Sequence, residues 1–122
     1  MPRRDEHLKI AQENAYFRAG MDPANGTARG WVATVAFYEA IHLVEAFFAT
    51  HYVHSPDHRT RDSSLVKFRE TKEIYDDFSE LKNLSLSARY WGRYPADGDI
   101  AAVVEPSLNT VRDRMRRAMK LP

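Results

Sequence analysis

The chain has 122 residues, a length that suits one folded domain, which we assign to residues 1–122. A hydrophobic content of 43% and a charged content of 29% indicate a globular protein rather than a disordered one. Cysteine is absent, which excludes disulfide bridges and thiolate metal sites. The charged N-terminus lacks the apolar stretch of a secretion signal, and we therefore expect a cytoplasmic protein.

Hydrophobic periodicity predicts five helical segments and no strand. The first runs from about Arg4 to Gly20, and a turn containing Pro23 follows it. The second spans about 28–53, with Thr27 as its expected cap. It is apolar nearly all round, which predicts a helix enclosed by others. Three ionisable side chains interrupt its apolar run, so we expect a buried soluble helix and no membrane span.

The second half of the chain contains three more predicted helices. One starts near Asp62 or Ser63, and the last ends near Lys120, with Pro106 either in its first turn or at a kink. Between them, a stripe at helical spacing comprises Ile74, Phe78, Leu81, Ser85 and Ala88. The predicted fold is an all-α, up-and-down bundle of four to five helices.

Charge is unevenly distributed although the net charge is only +1. Segment 70–80 carries five acids and one lysine, and segment 112–120 carries five bases and one aspartate. The basic segment is consistent with phosphate contact. It is also typical of a solvated helix end, where the helix dipole favours cations, and this is the commoner explanation.

Two histidine groups could carry chemistry. His51, His54 and His58 have helical offsets that could converge on zinc, but Ser55 and Pro56 interrupt a continuous helix, so we interpret them as loop residues and expect no metal and no cofactor.

Glu39, His42 and Glu45 lie three residues apart on the central helix, where neighbouring side chains could support acid–base work or metal binding. The favoured interpretation is structural, with Glu45 buried against an arginine and His42 donating to a backbone carbonyl.

A cluster of aromatic and basic residues follows the fourth helix. Tyr90, Trp91 and Tyr94 lie beside Arg89 and Arg93. Such side chains could stack on nucleic-acid bases. Alternatively, they close the core at a helix end.

The order of short motifs from Trp31 to Tyr90 resembles that of HEPN-like proteins, which are helical-bundle proteins of bacteria and archaea. The matching positions are Trp31, Phe37-Tyr38, Glu45-Ala46, His58, Arg61, Phe78, Leu81, Ser85, Ala88, Arg89 and Tyr90. Phe78 stands where the family usually has tyrosine. The resemblance covers about half of the chain.

The resemblance implies a homodimer with a cleft at its interface, acting on RNA or a nucleotide in a toxin–antitoxin or defence module. A cognate nucleotidyltransferase or antitoxin is an expected partner. Many members are metal-independent ribonucleases with the signature arginine, four to six residues, histidine. No histidine here follows an arginine at that spacing, and the reversed step His58-x-x-Arg61 occurs instead. Catalysis is therefore left open, and a non-catalytic interaction or scaffold protein is the alternative.

Positions of the resemblance, together with His42 from the polar group on the central helix, give the candidate site. We assign His58 and Arg61 as the catalytic candidates. Glu45, His42, Arg89 and Tyr90 are the binding candidates. Because Glu45 lies on a helix with almost no polar face, we expect Arg61, Arg89 or both to reach it.

The central helix also favours a second subunit, because so short a chain can cover such an apolar surface only if its neighbours fully enclose it. Aromatic residues near the end of the central helix, Phe47, Phe48 and Tyr52, are the expected contacts with it.

Overall fold

The structure is a computed structural model and describes residues 3–122. This part of the chain forms six α-helices and contains no strand. The helices are α1 (Arg4–Ala19), α2 (Gly26–Thr50), α3 (His58–Leu65), α4 (Arg69–Lys72), α5 (Tyr75–Trp91) and α6 (Glu105–Ala118), with a π-helical turn at Ile100–Val104 before α6. The all-α class is confirmed. The count exceeds four to five because the predicted third segment consists of α3 and the single turn α4.

Helix α2 forms the centre of the bundle and packs against α1, α5 and α6. Its fully covered apolar side chains include Ala33, Ala36, Phe37, Val44, Phe47 and Phe48. By length and composition α2 would also suit a membrane span, the one such helix in residues 3–122. However, 78% of its most apolar window is buried inside the bundle, as expected for a core helix.

The ends of α2 differ from the prediction. The cap is Asn25 rather than Thr27, because the Asn25 side chain accepts a hydrogen bond from the Ala28 amide at 3.1 Å. The helix ends at Thr50 rather than near residue 53, because Tyr52 adopts a left-handed backbone conformation with φ of 59°. The Val53 amide then bonds back to the Phe48 carbonyl at 3.0 Å and closes the helix end.

Helix α3 begins at His58, earlier than the predicted start at Asp62 or Ser63. Asp57 follows Pro56 and caps the helix by accepting from the Thr60 amide at 2.7 Å. The earlier start places His58 and Arg61 one turn apart on the same helix, where side chains contact each other.

The aromatic residues predicted to contact a second subunit are mostly internal. Phe47 and Phe48 are 1% and 0% exposed, and the ring of Phe68 packs against both at 5.5 and 5.7 Å. The expectation was wrong for this pair because the connection between α3 and α4 supplies their cover. Tyr52, by contrast, is 90% exposed.

The last two helices follow the predicted pattern. On α5 the stripe Phe78, Leu81, Ser85 and Ala88 is buried. Pro106 lies in the first turn of α6, as one of the two predicted alternatives states. Helix α6 ends at Ala118, two residues before the predicted end.

Candidate functional site

One stripe of α2 departs from the all-apolar surface predicted for this helix. Trp31, Tyr38, His42 and Glu45 follow one another at steps of seven, four and three residues, which places them on one side of an α-helix. Trp31 is 57% exposed and Tyr38 is 37% exposed, so Trp31 is not the core residue that the sequence suggested. The stripe is about 21 Å long at 1.5 Å per residue, and the candidate residues of the other helices meet it.

Glu45 and Arg61 form the buried ion pair that the sequence predicted. The Arg61 Nε donates to Glu45 Oε1 at 2.8 Å, and the two side chains are 10% and 5% exposed, respectively. The Asp57 cap produces this contact, because it starts α3 early enough to direct Arg61 towards α2. Arg89, the other predicted partner of Glu45, has different hydrogen-bond partners.

Arg61 also fixes the ring of His58. The Nη1 of Arg61 lies 2.9 Å from His58 Nδ1. A guanidinium can only donate, so Nδ1 must be the acceptor and the ring proton must sit on Nε2. The His58 ring stacks on Phe37 with centroids 5.8 Å apart.

Burial lowers the pKa of His58, and the positive charges of Arg61, Lys82 and Arg89 lower it further. His58 is therefore a neutral hydrogen-bond donor at neutral pH.

His42 contacts a residue that the sequence did not indicate. Its Nδ1 lies 3.0 Å from the Nδ1 of His7 on α1, with the two rings 5.3 Å apart. The predicted donation from His42 to a backbone carbonyl is therefore wrong. The predicted cluster of Glu39, His42 and Glu45 is also separated, because steps of three residues rotate each side chain by about 60°. Glu39 faces α6, whereas Glu45 faces α3.

The His7–His42 pair predicts a pH-dependent stability. Two Nδ1 atoms at hydrogen-bond distance require one donor and one acceptor, so protonation of both rings breaks the bond. Burial lowers the pKa of both histidines below the ordinary value of 6.5, and for His42 the charges of His7 and Arg61 add to this effect. Below pH 6.5 the unfolded chain binds more protons than the folded one. Stability should therefore be complete above that pH and fall as the pH drops from 6.5 towards the folded-state pKa values.

Urea denaturation between pH 5 and pH 8 measures this dependence. The double variant H7F/H42F should lose the part of the pH dependence that this pair contributes. H58Q should keep that part, because His58 bonds to Arg61 and not to His7 or His42. An unchanged pH profile in H7F/H42F would contradict the assignment.

Arg89 is held at the surface by polar and aromatic neighbours. Its Nε donates to Ser85 Oγ at 3.1 Å, and its Nη1 donates to the Tyr38 hydroxyl at 3.2 Å. The guanidinium carbon lies 5.7 Å from the Tyr38 ring centre and 5.1 Å from the Tyr90 ring centre, which is cation–π distance. The Nη2 atom is buried and makes no hydrogen bond with any residue in 3–122.

The charge of Arg89 is not neutralised by a carboxylate. Arg61 pairs with Glu45, and Lys82 pairs with Asp62 at 2.5 Å. Within residues 3–122, no acidic side chain lies within 4.0 Å of the Arg89 guanidinium. Among these three cations near His58, Arg89 is the one that offers an uncompensated positive charge.

The other predicted groups take structural roles. In the described part of the chain, no three histidine or acidic side chains are placed to hold one metal ion. His51 packs instead against Phe47 and Phe68, with ring centres 4.7 and 4.9 Å away. In the basic segment, Arg112 bonds to Glu39 and Arg114 bonds to Glu73. These two arginines thus have intramolecular partners, and one of those partners, Glu73, belongs to the acidic segment 70–80.

The six predicted site residues all belong to the stripe of α2 that runs from Trp31 to Glu45, contact it, or contact a residue that does. Glu45, Arg61 and His58 form one bonded chain, Arg89 and Tyr90 surround Tyr38, and His42 pairs with His7. The sequence did not indicate the roles of His7 and Trp31, although the spacing of Trp31 from Tyr38, His42 and Glu45 places it on the same side of the helix.

Comparison of the chain with protein-family models, with curated proteins and with solved structures finds no match.

Proposed function

We propose that the protein is a HEPN-like helical bundle that binds RNA, as a cytoplasmic homodimer within a toxin–antitoxin or defence module. The supporting observation is Arg89. Its guanidinium has no acidic partner in residues 3–122 and lies between the rings of Tyr38 and Tyr90, of which Tyr90 is 68% exposed. A positive charge beside exposed aromatic rings is the combination that single-stranded nucleic acid requires.

The state of His58 favours binding over cleavage. Ribonuclease chemistry without metal needs a base that accepts the proton of the attacking hydroxyl. With Nδ1 occupied by Arg61, His58 carries its proton on Nε2 and can donate to a phosphate oxygen but not accept a proton there. Cleavage would require the Arg61–His58 bond to break. His58 and Arg89 together are the proposed phosphate contacts, and Arg61 positions His58.

An RNA-binding assay over a range of salt concentrations tests this proposal. The wild-type protein should bind mixed single-stranded RNA with an affinity that falls as salt rises. R89A should weaken binding roughly tenfold and reduce the salt slope by about one. K9A is the matched control, since it removes one positive charge from α1, where the Lys9 side chain is 78% exposed. Equal binding by R89A and the wild type would contradict the proposal.

The length of the RNA in the same samples, measured with and without a chelator, distinguishes a ribonuclease from a protein that only binds RNA. Loss of RNA length that persists with chelator and disappears in H58A would establish metal-independent cleavage and reject the binding-only assignment. Neither binding nor cleavage would leave the alternative of a scaffold protein. Tyr16 and Phe17 on α1, which are 83% and 63% exposed, are specific features that favour it. Sedimentation at micromolar concentration tests the homodimer, and a monomer alone would contradict that part.

A further inference from the structure

A cleft beside Arg89 has the features of a ligand site. It lies where the start of α2, the end of α5 and the loop 92–99 meet, and its volume is about 300 Å³. Small-molecule sites span roughly 300–1,000 Å³, so this cleft suits a small ligand. Its lining consists of Thr27, Gly30, Trp31, Thr34, Ala88, Arg89 and Tyr94. Of this set, the sequence pointed to Arg89 as a binding residue and to Tyr94 as a possible stacking residue, but not to a cleft that contains both.

Two aromatic side chains form the walls of this cleft and retain exposed surface. Trp31 is 57% exposed and Tyr94 is 48% exposed. Tyr94 can lie against α2 because residue 30 is glycine. A Cβ atom at Gly30 would come within 2.7 Å of the Tyr94 ring. The two rings therefore leave flat aromatic surface open inside a concave site, where a planar ligand can stack on it.

Hydrogen bonds from Arg29 hold the backbone around the cleft in place. Arg29 Nε donates to the Pro95 carbonyl at 2.8 Å, which ties the loop carrying Tyr94 to α2. Arg29 Nη1 donates to the Pro23 carbonyl at 3.0 Å and so holds the preceding turn as well. The cleft is therefore preorganised, which reduces the entropy cost of binding.

Polar groups complete the lining. Arg89 brings a positive charge, and its Nη2 atom is buried and makes no hydrogen bond within residues 3–122. Thr34 donates its hydroxyl proton to the Gly30 carbonyl at 2.9 Å, which leaves its oxygen able to accept a hydrogen bond. Thr27 is an exposed residue of the lining. The cleft thus combines flat aromatic walls, one cation, and hydroxyl groups that can form hydrogen bonds with the polar edge of a ligand.

We propose that this cleft binds one nucleotide unit, with the base stacked on Trp31 or Tyr94 and the phosphate at Arg89. Inorganic phosphate would satisfy Arg89 but leave both rings uncovered. An acidic peptide would likewise use the cation alone. A nucleotide is the ligand class that uses both features. The inference rests on the proposed function in taking nucleic acid as the partner, and it adds the site and the residues that hold a base. The unit could be a free mononucleotide or one residue of an RNA strand.

Tryptophan fluorescence tests the stacking directly. The chain has two tryptophans, so the variant W91F leaves Trp31 as the single reporter. Trp91 is 72% exposed and outside the cleft lining, which makes its replacement mild. Titration with AMP, GMP, CMP and UMP should quench the Trp31 emission with saturation. Inorganic phosphate should not quench it. An eight-residue single-stranded RNA, titrated separately, distinguishes a strand from a free nucleotide.

Calorimetry with the cleft variants identifies the ligand's position. W31A and Y94A should each weaken binding of the best ligand by about tenfold or more, the usual effect of removing one stacking ring. G30A should weaken it too, because its methyl group displaces the Tyr94 ring. W91F should bind like the wild type. Melting curves show which variants fold, and if W31A fails to fold, Y94A and G30A decide.

The outcomes separate this inference from the proposed function. RNA binding that is unchanged in W31A, Y94A and G30A would overturn the cleft assignment and leave the RNA-binding proposal intact. Saturable mononucleotide binding without any RNA binding would support the cleft and overturn the RNA-binding proposal. Binding of neither ligand would overturn both.

Discussion

Replacement of Arg61 by alanine should lower the free energy of unfolding by roughly 3–5 kcal/mol, which is the usual cost of removing one partner from a buried ion pair. The Glu45 carboxylate would remain in a site where it is 5% exposed, without the donor at 2.8 Å that now compensates its charge. Small domains are stable by only about 5–15 kcal/mol. The variant should therefore melt roughly 10–20 °C lower than the wild type.

Two further variants show whether the loss comes from the uncompensated charge. E45L/R61L removes both charges and should recover most of the stability. K82A removes a cation from the Lys82–Asp62 pair, whose side chains are 21% and 32% exposed, and should cost at most about 1 kcal/mol. If R61A melts near the wild-type temperature but loses RNA binding, Arg61 serves a ligand and the structural role assigned to it is wrong.

The predicted Glu45–Arg61 pair shows what a single sequence can supply. Glu45 lies in an apolar helix, and a buried carboxylate requires a cation. Composition therefore predicted that a partner exists, and the motif order restricted the choice to Arg61 and Arg89. The choice between the two depended on the start of α3, which the sequence analysis placed four or five residues too late. The Asp57 cap after Pro56 was the local signal that would have corrected it.

Other features depend on contacts between distant segments and could not be predicted in this way. His7 and His42 are 35 residues apart, and nothing in either neighbourhood indicates that their rings meet. The cover over Phe47 and Phe48 comes from Phe68, whose own segment is too short for a clear periodicity. The end of α2 depends on a left-handed tyrosine, a conformation that glycine or asparagine usually signals. Periodicity therefore gave the all-helical class, while the boundaries and site contacts required three-dimensional packing.

Replacement of Glu39 by glutamine should produce the second large loss of stability. Glu39 is 2% exposed, and its Oε2 accepts from Arg112 Nε at 3.2 Å and from Nη2 at 2.7 Å. Its Oε1 lies 3.6 Å from Arg18 Nη2, and Arg18 also pairs with Glu105. One carboxylate thus joins α1 and α6 to the central helix. Glutamine keeps the shape but leaves the two arginines facing a neutral amide.

The expected cost of E39Q is about 3 kcal/mol, at the low end for a buried pair because the Arg112 side chain is 31% exposed and can rehydrate. E73Q is the matched control, since Glu73 pairs with Arg114 at 2.6 Å but is 49% exposed, and its loss should cost far less than that of Glu39. Urea denaturation of the two variants measures the difference. E39M/R112M removes both members of the main pair. Arg18 still pairs with Glu105 in this variant, so no buried charge is left without a partner, and the variant should be more stable than E39Q. A loss in E39Q no larger than in E73Q would mean that the Glu39 network does not hold α1 and α6 to the core.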